Sequence, residues 1–351
     1  MKWRRATLSI LAGLTVPVLA ALIFVASFGT AQTMPARIPF QIVTGSTAGT
    51  YFPIGQLIAG LVSHPPGVDR CESAPVCGPS GLIVTARTSD GAVANVLSVN
   101  AGTSDSGFAQ NDVVADAVAG RGAFKTAGKQ TQIRVMADLF PEEVHLIVAR
   151  GSRIAKVTDL RGKRVSLGVA SSGTSVTAHA ILAAYGVVEK RLKAQHDSAD
   201  VDAQLMQKGQ LDAFFFVGGS PVGLIQDLIG RGIARLVPID GAGRNVLLKA
   251  APALHVATIP AGTYPGTPAT ETVSVQALWI VNQHVSEPLV YGIVKALFDP
   301  ANRAALLSQG GPAALIRLDS ATSDLPAPLH PGAERFFRQS GRLPRSRSAP
   351  N

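Results

Sequence analysis

Five times along this chain a short apolar run ends in a loop of small polar residues, and a stretch with helical apolar spacing follows. The fullest case is Ile42 to Val62. Phe40–Val43 reads as a buried strand, Thr44 to Thr50 are small, and Ile54, Leu57, Ile58, Leu61 and Val62 recur at helical spacing. Similar junctions are Leu167–Ser175, Phe216–Pro221, Thr88–Gly91 and Gly107–Asp112. A small-residue loop lets backbone N–H groups approach a ligand, and the helix start supplies partial positive charge. Strands alternating with helices in this way constrain the chain to an α/β fold, read here as largely parallel, in which ligands bind beyond the carboxyl ends of strands. One such loop is an ordinary connection. Runs as dense in Ser, Thr and Gly as GSTAGT, SSGTS and GGSP in two halves point instead to a shared site for a small carboxylated molecule.

The strands expected are Phe40–Val43, Leu82–Thr85, Ser106–Ala109, Ile133–Ala137, Val144–Ala149, Arg164–Leu167, Ala213–Val217, Arg235–Pro238 and Val273–Val281. The helices expected are Tyr51–Val62, Ala92–Leu97, Asn111–Ala119, Val176–Tyr185, Val201–Gln207, Pro221–Ile229 and Pro288–Phe298, with Ser220 as the N-cap of the sixth. A complete β/α set lies between two strand-like segments. The economical layout is therefore one lobe from 38–143 plus 283–340 and a second lobe from 150–274. Strands at 144–149 and 275–282 form a two-strand hinge between them.

The net charge of +9 resembles a nucleic-acid signal, but six of those charges are Lys2, Arg4, Arg5, Arg342, Arg345 and Arg347 at the two ends, leaving +3 on the body. Without a basic stripe interleaved with aromatics, nucleic-acid binding is set aside. Residues 1–31 have a basic start, an apolar stretch Ala6–Phe28 and a small-residue site Gly29-Thr30-Ala31, and read as a signal peptide. The apolar stretch is nearly long enough to span a bilayer, so an uncleaved anchor is the alternative. Both place the body outside the cytoplasm. Residues 342–351 read as a disordered tail. Cys71 and Cys77, the two cysteines of the chain, are separated by five residues, and a local disulfide is the natural reading in an oxidising compartment, with two free thiols as the alternative.

Enzyme signatures are thin. GGSPVG has the wrong spacing for a nucleophile elbow, Arg161–Arg164 lacks the glycine and Ser/Thr of a phosphate-binding loop, and the seven histidines show no metal-like pair. No cofactor or metal is implied. Glu142-Glu143 is a paired-carboxylate candidate, but beside Pro141 it reads as a solvated turn. An extracytoplasmic enzyme would have to draw on Ser172, Ser220 and Asp112. A membrane-held ligand-sensing domain is the other competitor.

Several blocks in order, GSTAGTYFPIG, FAQNDV, KVTDLRGKRVSLGVASSGT, DAFFFVGGSP and PLHPGAERFFRQSG, resemble the TAXI-type substrate-binding subunits of TRAP transporters over nearly the whole body. That resemblance implies a fold similar to type II periplasmic binding proteins. It also implies capture of an acidic amino acid or dicarboxylate and delivery to TRAP membrane subunits. Carried over position by position, it puts Thr47, Ala48, Gly49, Thr50 and Tyr51 at the ligand, then Gln110 and Asp112. It adds Ser171, Ser172, Gly173 and Thr174, and Gly218, Gly219 and Ser220. Three positions depart from the family pattern. Ala48 and Phe52 stand where a glycine and a second tyrosine are common, and Asp90 brings an acid to a serine-glycine motif.

Overall fold

The computed structural model describes residues 37–68, 70–71, 76–323 and 325–344. The expected signal or anchor, and all but the first three residues of the expected tail, lie outside them. No helix among the described residues is long and apolar enough to cross a membrane.

The junctions fold as strand–loop–helix. They run β1 Ile38–Val43 into α1 Tyr51–Val62, β2 Leu82–Arg87 into α2 Ala92–Asn100, and β3 Ser106–Gln110 into α3 Asn111–Ala119. The long β4, Ile133–Ala149, leads to β5 Arg164–Ser166, α4 Gly173–Ala184, β6 Lys193–Gln195 and α5 Ala199–Gln207. Next come β7 Ala213–Gly218, α6 Gly223–Gly230, β8 Ala234–Val237, α7 Gly241–Ala250, β9 His255–Ile259 and β10 Thr270–Asn282. Helices α8 Glu287–Leu297, α9 Pro300–Gln309, α10 Gly311–Leu315 and α11 Pro331–Gln339 complete the chain.

The ten strands form one sheet in the order β2-β1-β3-β10-β4-β7-β5-β6, with β8 beside β4 and β9 beside β10. The sheet is mixed, a correction to the largely parallel reading. β1–β2, β1–β3, β5–β6 and β5–β7 are parallel, whereas every pairing of β4 or β10 is antiparallel. The cores explain the two lobes. Two buried clusters draw on residues between 40 and 140 and between 277 and 337, and two others on residues between 144 and 275. β4 and β10 contribute to both sets, the segments 133–140 and 277–281 to the first and the segments 144–148 and 273–275 to the second, and they pair side by side.

β4 corrects a second expectation. Ile133–Ala137 and Val144–Ala149 were expected as separate strands with a turn at Pro141, yet the strand is continuous. A proline is tolerated in a strand next to a bulge, and the β4–β10 register shifts between the pairs Ala277↔Phe140 and Leu278↔Asp138. β6 and β9 were not anticipated, being short and poor in buried residues. Cys71 and Cys77 are disulfide-bonded. The loop that they close is short, and the chain-entropy model assigns such a cross-link about 2 kcal/mol. Reduction should therefore lower the unfolding free energy from chemical denaturation by that amount without altering the far-ultraviolet circular dichroism of the native state.

Candidate functional site

A cavity of about 390 Å³ opens where the strand ends of the two lobes meet. Its wall is built by helix starts. Thr50, Gly91, Gln110, Ser172 and Ser198 are the N-caps of α1, α2, α3, α4 and α5, and all five line it. The first N–H groups of a helix have no partner inside it, and each helix start carries about +0.5 elementary charge. Five starts directed at one space make a strong receiver for an anionic group. Side chains leave most of these N–H groups uncapped. Of the five caps, Ser172 bonds its own helix, its Oγ accepting from Ser175 N at 3.1 Å.

Among the expected site residues, Thr47, Gly49, Thr50, Tyr51 and Gln110 line the cavity from the first lobe, and Ser172, Gly173 and Thr174 from the second. Ala48, Asp112, Ser171, Gly218, Gly219 and Ser220 do not. Asp112 bonds inward instead, accepting from Val113 N at 2.8 Å and from Thr177 Oγ1 at 3.2 Å; burial pushes its carboxyl up to about 6. Ser171 sits at the rim, where its Oγ donates to Asp90 Oδ2 at 3.2 Å and its carbonyl accepts from Ala94 N at 3.1 Å. Those two bonds tie one lobe to the other.

The GGSP junction is internal. A Cβ on Gly218 would fall 2.6 Å from Thr50 Oγ1, and one on Gly219 would fall 2.5 Å from Pro312, so both glycines serve close packing. Ser220 is not a helix cap, since α6 starts at Gly223 with Val222 as its N-cap. Ser220 N donates to Glu143 Oε2 at 3.1 Å. Ser220 Oγ and Tyr264 Oη lie 3.1 and 2.8 Å from the Nε2 of His145. His145 is fully buried, and desolvation lowers its pKa to about 4. This serine–histidine contact lies off the cavity wall, with Ser172 engaged as a helix cap and Asp112 turned inward. The three enzyme candidates are therefore not assembled around one space.

Sequence reasoning missed Glu142. It is 1% exposed, lines the cavity from β4 and accepts from Tyr51 Oη at 2.7 Å, which overturns its reading as a solvated turn. Burial, against the lowering effect of the Tyr51 bond, holds its carboxyl well above the usual range, and Tyr51 is raised in turn by burial and by Glu142. The segment Asp197–Asp202 was also missed. Ser198 followed by acids is a helix-start signature that would have placed α5 two residues earlier than Val201. Asp202 is 1% exposed, and burial pushes its carboxyl up to about 8 despite a bond to Ser166. Of the three departures from the family pattern, Asp90 lines the cavity and Ala48 and Phe52 do not.

Two solved structures align with much of the chain. MatC from Rhodopseudomonas palustris, with bound malate, aligns with a TM-score of 0.52 at 13% identity, covering 88% of this chain and 98% of that one. The alkanesulfonate-binding protein SsuA from Xanthomonas axonopodis pv. citri, bound to MOPS, aligns with a TM-score of 0.43 at 16% identity, covering 80% and 82%. The first likeness establishes the periplasmic-binding-protein-like α/β fold of two lobes. The model of the NMT1-like family matches residues 42–341, and the chain belongs to that family.

Proposed function

We propose that this chain is an extracytoplasmic receptor that captures a small carboxylated solute between its lobes and delivers it to the membrane subunits of a TRAP transporter. The observation that carries the reading is the convergence of five helix starts from two lobes on one cavity. A carboxylate there would accept from backbone N–H groups and from the hydroxyls of Thr47, Thr50 and Thr174. The lobes follow the boundaries 38–143 plus 283–340 and 150–274, and close about the segments 144–149 and 275–282 of β4 and β10. The contacts of Ser171 with Asp90 and Ala94, and of Thr177 with Asp112, are then closure contacts, formed fully when solute bridges the lobes. TRAP delivery rests on the resemblance to TAXI-type subunits.

A thermal-shift screen of the purified chain against amino acids, dicarboxylates and short acids tests the reading. A true ligand at a hundredfold excess over its Kd stabilises the folded state by roughly 2.7 kcal/mol. The melting temperature should rise with ligand concentration for at least one member of the panel. A flat response across the whole panel would defeat the receptor assignment.

A further inference from the structure

The cavity wall is rich in carboxyl groups. Asp90, Glu142, Asp197, Asp200 and Asp202 line it, and no Lys, Arg or His is among the described lining residues. Helix starts account for part of this. Asp200 and Asp202 fall in the first turn of α5, where the macrodipole favours negative charge, and Asp90 has Ser171 as a donor. Three features are left over. Glu142 comes from a strand. Asp202 Oδ1 and Gln110 Oε1 are acceptors on residues only 1% and 3% exposed, and neither atom has a hydrogen-bond partner in the protein. A buried acceptor without a donor costs free energy that a ligand donor recovers. The rings of Tyr51 and Phe216 also line the space, and aromatic rings attract cations through their quadrupole.

We propose that the solute carries a cationic nitrogen, an ammonium or guanidinium, that docks against Asp202, Gln110 and Glu142 while its carboxylate faces the helix starts, so that the ligand class is a basic amino acid and not a dicarboxylate. The proposal rests on the receptor reading above and narrows its substrate class. A dicarboxylate would leave both orphan acceptors without donors, and it offers no positive charge to draw the protons off Glu142 and Asp202, whose neutral forms burial favours. A basic amino acid supplies a carboxylate for the N–H groups, donors for the acceptors and a positive charge that favours the ionised forms of Glu142 and Asp202.

Isothermal titration of the purified chain with L-lysine, L-arginine, L-glutamate and succinate tests it. Lysine or arginine should bind at least roughly tenfold more tightly than glutamate or succinate, the effect of one charge-assisted hydrogen bond. Glu142→Gln and Asp202→Asn, checked for folding by thermal melts, should each weaken the basic ligand roughly tenfold. Exposed Asp90→Asn, which leaves the core untouched, should weaken it a few-fold and serves if a buried variant fails to fold. Glutamate or succinate binding as tightly as lysine, or unchanged lysine affinity in the folded variants, overturns the charge assignment and leaves the receptor standing. Failure of these four and of the wider screening panel overturns both.

Discussion

Gly173→Val should raise the Kd for the solute roughly a hundredfold while leaving the secondary structure and the two cores in place. A Cβ built on Gly173 would lie 1.7 Å from Gln110 Oε1, 2.4 Å from its Cδ and 3.2 Å from the Cβ of Ala92. Gln110 is itself buried at the end of β3, so its side chain has little room to retreat. The clash falls between the α4 start and the β3–α3 and α2 starts, that is, between lobes and at the cavity wall. Overpacking of this kind costs about 1–3 kcal/mol. Here the cost falls on the arrangement in which the lobes touch. If binding requires that arrangement, apparent affinity drops in proportion to its population, and about 3 kcal/mol corresponds to a hundredfold. Calorimetric Kd and far-ultraviolet circular dichroism measured on one preparation check both halves. Gly173→Ala combined with Gln110→Ala separates causes. It keeps a Cβ at 173 but removes the Gln110 atoms which that Cβ would meet, so the melting temperature should return toward that of the parent, while affinity remains low because a lining group is gone. Unchanged affinity in Gly173→Val would remove the α4 start from the site.

The glycine was legible because its surroundings are local. A strand, a loop of small residues and a helix are set by neighbours in sequence, so the starts of α1, α3 and α4 could be read with their lining residues Thr50, Gln110 and Gly173. Glu142 was hidden because its placement depends on a partner far along the chain. Pro141 signals a turn locally. Pairing with Gln276 in β10, beside a register shift, makes it strand, and only then does Glu142 meet Tyr51 across 91 residues. The GGSP junction failed in the opposite way. Its local pattern is that of a helix start at a site, yet contacts from Thr50, Pro312, His145 and Glu143 fill the space around it. Composition could not show which loops face the cavity, because a hydroxyl that caps a helix or packs a core is the same residue as one that receives a ligand. Phe52, a departure from the family pattern, does not line the cavity, whereas Asp90, another departure, does.

The acids of the wall should also govern stability without ligand. Asp202 has a folded pKa of about 8 against an ordinary value of 3.8, since burial disfavours its charged form. A carboxyl raised on folding binds its proton more tightly in the native state than in the unfolded one. Stability from that group is complete at low pH and is lost as pH rises between the two values. His145 acts oppositely, because its buried ring stays neutral with a folded pKa of about 4 against 6.5, so its contribution is lost as pH falls below 6.5. Between pH 6.5 and 8 the histidine is largely neutral in both states, and Glu142, also raised by burial, adds to the Asp202 effect in the same direction. One proton held by the native state alone changes stability by about 1.4 kcal/mol per pH unit, and Asp202 is half protonated at pH 8, so the ligand-free chain should gain at least about 1.5 kcal/mol on going from pH 8 to 6.5. Asp202→Asn should reduce that slope by the Asp202 share and be more stable than the parent at pH 8, while binding its solute more weakly. Denaturant midpoints at the two pH values, in parent and variant, check the prediction. A parent whose stability falls on acidification across this window would show that Asp202 is ionised at little cost. Opposite effects of one substitution on stability and affinity are expected where a buried group is kept for a ligand and not for the fold.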